Sequence, residues 1–299
     1  MKTMRAVLLS FTLLAAAGVQ AADYLWEVSS LTNRIYLFGT VHAGKKEWYP
    51  LTPEVEKAFD DSKALAVEAD ILDTNAMRKS AAASTYKPPD SLKEHVAAAD
   101  YARLESILPR FGIGEHELDA MKPFMAVSVL VFYEWARLGF TPNFGVDAYF
   151  LRKAKAELKP VVELEGIDAQ IKLIDSLSDE ENRLLFEGTI TALESGLTDR
   201  QIVGMVNAWK DGDPDAMLEV ARKYNDDVAG AQEFEEKFVW SRHDAMAAKI
   251  EGFLNRTHEP YFVAVGALHL AGPRGLVEIL RKRGYLVKQM GVAPSETEK

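Results

Sequence analysis

A chain of 299 residues with 35 basic and 45 acidic side chains, formal net charge −10, is a poor partner for nucleic acid, whose phosphates select basic surfaces. Cysteine is absent, which excludes disulfides, thiolate nucleophiles and lipoprotein attachment. With 48% hydrophobic residues the chain has ample material for a packed core, and stability must come from that core.

The first segment, MKTMRAVLLSFTLLAAAGVQAADY, reads as a signal peptide and not as part of the fold. Lys2 and Arg5 form a positive start, Ala6 to Val19 is nearly all apolar, and Val19-Gln20-Ala21 offers a cleavage site. Cutting is expected after Ala21 or Ala22, giving a signal peptide over 1–21 and one domain over 22–299. The apolar run is too short for a comfortable membrane span, so no stable membrane insertion is expected after cleavage. The expected location is periplasmic or secreted.

DYLWEVSS and NRIYLFGT then read as two strands joined by a short turn. TPEVEKAFDDS is a helix, with Thr52 as cap, Pro53 at its first position and Val55 and Phe59 on one face. KALAVEAD is a third strand. From 71 to about 140 the pattern is helical, interrupted by YKPPDS, FGIGEH and GFTPNFG. A helix GVDAYFLRKAKAEL, a strand KPVVELE and a helix GIDAQIKLIDSL follow. Helical periodicity fills 178–256, broken at ESGLTD and DGDPD. A strand over 260–266, a helix over 272–283 and a strand over 285–289 close the domain, and the polar tail VAPSETEK is expected to fray. The expectation is a single α/β domain of mixed α+β character: one central mixed β-sheet surrounded by helices, with a large helical insertion.

One figure occurs twice. In YLFGTVHAGKKEWYP an apolar run ends at Gly39 and His42 follows three residues later; in YFVAVGALHLAGPRG the same holds for Gly266 and His269. Glycine at a strand end permits a sharp turn, and a histidine three residues on sits above the carboxyl end of the sheet, where open α/β sheets bind ligands. Strand-end carboxylates are available nearby in Glu68, Glu163 and Glu165. Two imidazoles and a carboxylate leave coordination positions open, the usual form of a catalytic metal site. A histidine at each strand end also serves simply to satisfy a buried backbone group, and spacing does not separate the two readings.

These segments resemble the TraB/GumN family, which is similar to the Tiki metalloproteases and is marked by two G-x-x-H motifs and a glutamate after an early strand. LFGTVH with Pro50 downstream matches the first motif, AVEAD the glutamate, and VAVGALHLAGPRGLVEILRKRGY the second motif, the most specific part. GVDAYF and KPVVELEGIDAQIKLID resemble the middle segment, bringing in Asp147, Glu165 and Gln170. The chain departs from the family at Arg242-His243-Asp244-Ala245-Met246, where His243 stands in place of the usual asparagine and offers a third imidazole.

The resemblance implies a metal-dependent hydrolase acting on a peptide or protein substrate. His42, His269 and Glu68 would hold manganese, cobalt or zinc. Glu165 or Glu163 would serve as general base or further ligand, and Arg242 would stabilise developing negative charge. The alternative is a non-catalytic protein that sequesters a peptide in the same groove. Substrate, metal and oligomeric state are left open by the sequence. His95, His116 and His258 are expected at the surface. EFEEKF is expected as the solvated side of a helix with Phe234 and Phe238 turned inward. Trp135, Trp209 and Trp240 are expected in the core, and Trp48 and Tyr49 either line a substrate groove or cover the core.

Overall fold

The computed structural model describes residues 23–223, 228 and 230–291; the expected signal peptide and the polar tail lie outside the described residues. In chain order the elements are β1 (Leu25–Ser29), β2 (Arg34–Thr40), α1 (Pro53–Asp60), β3 (Ala64–Val67), α2 (Thr74–Ala83), α3 (Ala98–Ile107), α4 (Pro123–Arg137), α5 (Val146–Ala156), β4 (Val161–Glu163) and α6 (Ile167–Asp175). They continue with α7 (Asp179–Glu194), α8 (Leu197–Lys210), α9 (Pro214–Arg222), α10 (Ala231–Phe238), α11 (His243–Leu254), β5 (Tyr261–Gly266), α12 (Leu276–Lys282) and β6 (Leu286–Gln289).

The strands form one six-stranded mixed sheet in the order β4-β3-β5-β2-β1-β6. β4, β3, β5 and β2 run parallel, while β1 is antiparallel to both β2 and β6. The expected α/β class and central mixed sheet are thus observed. The apolar runs Ile35–Phe38 and Tyr261–Val265 are buried along their whole length, as parallel strands covered on both faces require. Phe38, Phe59, Phe150 and Phe262 pack ring against ring over the sheet.

Local signals act as expected at several ends. The Thr52 hydroxyl accepts a hydrogen bond from the Val55 amide at the start of α1, with Pro53 in the first turn. Ser178 and Glu181 form a reciprocal capping box at the start of α7. The helix expected over 272–283 is shorter, Leu276–Lys282, because the preceding residues form a turn closed by the Gly275 amide on Gly272 O.

The helical insertion is built from two excursions, one between β3 and β4 and the other between β4 and β5, that pack on each other. α3 and α4 from the first meet α7 from the second. Leu104, Leu130, Phe186 and Ile190 form a core of their own there, apart from that of the sheet. In α10, Phe234 and Phe238 stack at 4.4 Å and Phe238 stacks on Phe124, as the inward placement requires. Glu235 of the same helix is not solvated: it is buried and accepts from Trp240 Nε1 at 2.6 Å and from Arg222. Three donor nitrogens, two of Arg222 and one of Trp240, converge on this carboxylate, an arrangement invisible to helical periodicity.

Candidate active site

Because β2, β3, β4 and β5 are parallel, their carboxyl ends gather on one edge of the sheet. β5, drawn from near the end of the chain, lies between β2 and β3. Its register pairs Gly39 with Val265 and Thr40 with Gly266 on one side, and Val67 with Ala264 on the other. The loop carrying His269 therefore stands between the loops carrying His42 and Glu68.

The two motif glycines do different work. A Cβ on Gly39 would lie 2.3 Å from Tyr24 Cδ1 and 3.1 Å from Ala267 Cα, so only glycine lets β1 and the second motif close on β2. Trp209 of α8 adds a further tie, donating from Nε1 to Gly39 O at 2.8 Å. A Cβ on Gly266 would meet no clash. It would stand 3.4 Å from Glu68 Oε1, 3.6 Å from His269 Cδ2 and 3.9 Å from His42 Nε2. The missing side chain at 266 leaves a small cradle faced by both histidines and the carboxylate.

His42 follows β2 and is held from below by α5. The Val146 amide donates to Val41 O, and His42 Nδ1–H donates to Asp147 Oδ2 at 2.7 Å. This fixes Nε2 toward the cradle. The facing Asp147 carboxylate outweighs partial burial and raises the His42 pKa to about 9, although much of the ring is open to solvent.

Glu68 leaves β3 into the floor of the site. Its Oε1 accepts from the Gly266 amide at 2.7 Å and lies 3.6 Å from His269 Nε2; its Oε2 accepts from Arg242 Nη2 at 2.5 Å. Burial pushes its carboxyl up, but the Arg242 guanidinium and the charged His42 ring facing it hold it below the usual carboxylate range. Its backbone carbonyl takes the amides of Glu165 and Gly166, which sets the β4 loop against the β3 loop.

Arg242 precedes α11 and spans the floor. Its Nε donates to Glu165 Oε1 at 2.9 Å and its Nη2 to Glu165 Oε2, a forked pairing of planar groups. Its Nη1 donates to Phe238 O at 2.8 Å and approaches His269 Nε2 at 3.1 Å. Glu165, open between base and ligand on sequence, is thus placed as the partner of Arg242. Glu163, its alternative, is exposed and accepts from the Asp70 amide at 2.7 Å, outside the group.

His243 is buried behind His269, with Nε2 2.8 Å from His269 Nδ1 and Nδ1 2.7 Å from Arg274 O. It does not face the cradle, so the third imidazole suggested by the sequence stands one layer back. Burial, together with the neighbouring His269 and Arg242, lowers its pKa to about 4.

The donor set suits a divalent transition metal: two imidazoles and one ionised carboxylate around a cradle that no side chain fills. As it stands the group is wider than a bound ion would draw it. The donor atoms of His42, Glu68 and His269 do not all lie within 4.8 Å of one another, and Arg242 Nη1 stands on the His269 Nε2 lone pair. Holding one ion on all three requires His42 to move inward and Arg242 to release His269. Elsewhere among the described residues, Glu105, Glu115 and the surface residue His116 bring donor atoms within 4.8 Å of one another, at the exterior of the insertion and away from the sheet.

Trp48 packs at a tilt against Trp209 and Phe140, and lines a cavity of about 320 Å³ with Asp23, Tyr24, Phe38 and Trp209. Tyr49 stacks on Tyr149. His95 pairs with Asp90 and stacks on Tyr86, and His258 is exposed. Two contributors had no signal in the sequence: Trp209, which reaches Gly39 from 170 positions away, and the Arg274 carbonyl, which any residue could supply.

Among known proteins, the chain is similar over 270 residues to the uncharacterized protein YbaP of Escherichia coli (strain K12), at 26% identity covering 89% of this chain and 96% of that one. A Metalloprotease TIKI homolog of Amphimedon queenslandica is similar at 24% identity, covering 97% of this chain and 67% of the relative. No solved structure matches. The profile of the TraB/PrgY/gumN family matches residues 24–289, almost the whole described chain, and the protein belongs to that family.

Proposed function

We propose that the protein is an exported metal-dependent hydrolase acting on peptide bonds. The observation that carries the reading is the convergence of His42 Nε2, His269 and Glu68 Oε1 on the one point left free by Gly266. The similarity to a protein named a metalloprotease supports it.

His42, His269 and Glu68 would hold the ion, and manganese, cobalt and zinc all suit two imidazoles and a carboxylate. When bound, such an ion lowers the pKa of water and polarises a carbonyl oxygen. The chain's own residues do the rest. Asp147 orients His42 and keeps its Nε2 toward the cradle. Glu165 holds the guanidinium of Arg242 in one plane, with donors directed at Glu68 and His269. Once His269 is engaged elsewhere, Arg242 Nη1 is left as a cationic donor over the floor, suited to stabilising negative charge on an attacked carbonyl. Trp48 and the adjoining cavity offer an apolar surface for substrate side chains.

The test is to purify the protein, strip it of metal and assay a mixed peptide library after adding back manganese, cobalt or zinc separately. Cleavage restored by at least one ion is expected. No cleavage with any ion, and no metal carried through purification, overturns the reading.

A sequestering protein is the second reading, favoured by one observation: Arg242 Nη1 already occupies the His269 Nε2 lone pair that a bound ion would need. Loss of cleavage with retained peptide affinity in the double variant His42→Ala, His269→Ala supports the hydrolase. Loss of affinity with no cleavage to lose supports the sequestering protein.

Export rests on the segment before Asp23. Among the described residues no helix is long and apolar enough to cross a membrane. The recovered protein should begin at Ala22 or Asp23 when its N-terminus is sequenced; an intact Met1 in the membrane fraction would refute export.

A further inference from the structure

We propose that His243 is a positioning residue that fixes the ring tautomer of His269, so that His269 presents its Nε2 lone pair to the site. This deepens the metal-site reading and rests on it for its purpose, though not for its geometry.

The assignment follows from both ends of a short chain of contacts. At one end, Arg274 O is an acceptor only, so the nitrogen 2.7 Å from it, His243 Nδ1, carries a proton. At the other end, Arg242 Nη1 is a donor only and stands 3.1 Å from His269 Nε2, whereas Glu68 Oε1 faces the same nitrogen at 3.6 Å, beyond hydrogen-bond distance, so His269 Nε2 carries a lone pair. Between them His243 Nε2 and His269 Nδ1 face each other at 2.8 Å, and one must donate to the other. A neutral His243 with its proton on Nδ1 has only a lone pair at Nε2. A neutral His269 with its lone pair at Nε2 has its proton on Nδ1. The two ends require the same arrangement: His269 Nδ1–H donates to His243 Nε2, and His243 Nδ1–H donates to Arg274 O.

The surroundings maintain it. His243 is 2% exposed and His269 5% exposed, so neither ring can exchange its partner for water. Trp240 meets the His243 ring edge-on at 5.3 Å, which blocks a ring flip without local repacking. Arg274 is itself anchored by a forked pair with Glu236, which steadies the segment whose carbonyl starts the relay. The arrangement parallels His42, whose Nδ1–H donates to Asp147 so that Nε2 faces the cradle. One histidine of the site is therefore oriented by a carboxylate, the other by a neutral imidazole and a backbone carbonyl. The neutral partner adds no negative charge beside Glu68 and Glu165.

The experiment is long-range proton–nitrogen correlation NMR on metal-free protein carrying nitrogen-15 histidine, the His269 signals being assigned by their loss in His269→Ala. The expected result is a neutral His269 with its proton on Nδ1 and a lone pair at Nε2. A wild-type His269 protonated at Nε2 instead overturns the proposal. Two variants extend the test. His243→Gln retains an acceptor near the former Nε2 and should keep the Nδ1–H form. His243→Leu removes it and should yield a mixture of tautomers. Equilibrium dialysis against zinc alone should show His243→Gln within about threefold of wild type and His243→Leu weakened about 10- to 100-fold. A folded His243→Leu protein that keeps both the Nδ1–H signature and wild-type zinc affinity also overturns the proposal. Because the tautomer is read without metal, a protein that binds no zinc but shows His269 Nδ1–H refutes the metal site and leaves the relay standing.

Discussion

The Gly266 amide donates to Glu68 Oε1 at 2.7 Å, so the turn of the second motif is built directly on the carboxylate that ends β3. The same carboxylate faces His269 and accepts from Arg242. Replacing Glu68 by Gln keeps an acceptor for Gly266 but turns an amide N–H₂ toward the donor Arg242 Nη2. In metal-stripped protein this should cost about 1–3 kcal/mol, read as a lower Tm, since Arg242 keeps Glu165 as its partner. Metal content and cleavage should both fall. A Glu68→Gln protein with unchanged metal content would remove Glu68 from the site.

The two motif glycines should respond oppositely to alanine. Gly39→Ala drives a methyl to 2.3 Å from the Tyr24 ring in a packed core, where overpacking costs about 1–3 kcal/mol. Gly266→Ala places its methyl at ordinary contact distances, so Tm should change little while the cradle is filled. The expected pairing is a stability defect for the first and a metal-affinity defect for the second. Equal losses of Tm in both would contradict the division of labour.

His42 should titrate near 9 in metal-free protein, because Asp147 stabilises its charged form. A raised folded-state pKa contributes stability that is fully present below the unfolded value of 6.5 and lost as pH rises toward about 9. Denaturant melts of metal-free protein should therefore show a component falling between these limits, and Asp147→Asn should remove it. Metal uptake at pH 7 should also release a proton from His42, measurable as buffer-dependent heat by calorimetry. A His42 ring that titrates near 6.5 by NMR in the wild type would refute both expectations.

Glu134 is fully buried in α4, between Arg110, Arg137 and Asp199, and its Oε2 has no conventional partner. Burial and the adjoining Asp199 carboxylate raise its pKa against the pull of Arg137 and Arg110, and the expected outcome is that Glu134 carries a proton turned toward Asp199. Glu134→Gln, which keeps a donor there, should hold the Tm near wild type at pH 7. Glu134→Leu should lower stability by about 3–5 kcal/mol, having broken a buried pair. A large loss in Glu134→Gln would show that the group is ionised.

The sheet was legible because its strands are short apolar runs bounded by turn residues, as in NRIYLFGT and YFVAVG. Its order was not, since nothing local in Tyr261–Gly266 tells that it inserts between β2 and β3. His42 and His269 stood out by a repeated spacing. Their supporting contacts were hidden for two reasons. Glu163 and Glu165 are equivalent on paper, and only the turn at Gly166 puts one on Arg242 and the other on the Asp70 amide. The relay behind His269 ends on a backbone carbonyl, which has no residue type to recognise. Glu235 was misplaced because an amphipathic reading counts charges as outward, whereas a carboxylate joined by Trp240 Nε1 and Arg222 is stable inside.

The position of β5 has a consequence for how the protein comes into being. The strand occupying the middle of the sheet is made after β2, β3 and β4, and β2 and β3 have no direct ladder to one another without it. An incomplete chain therefore has two separated sheet fragments, each with an unpaired edge, and His42 has no partner across the gap. Long-range closure of this kind is slow and cooperative. His42, Glu68 and His269 come together only once β5 is in place, so a copy that stops short of it lacks the assembled group.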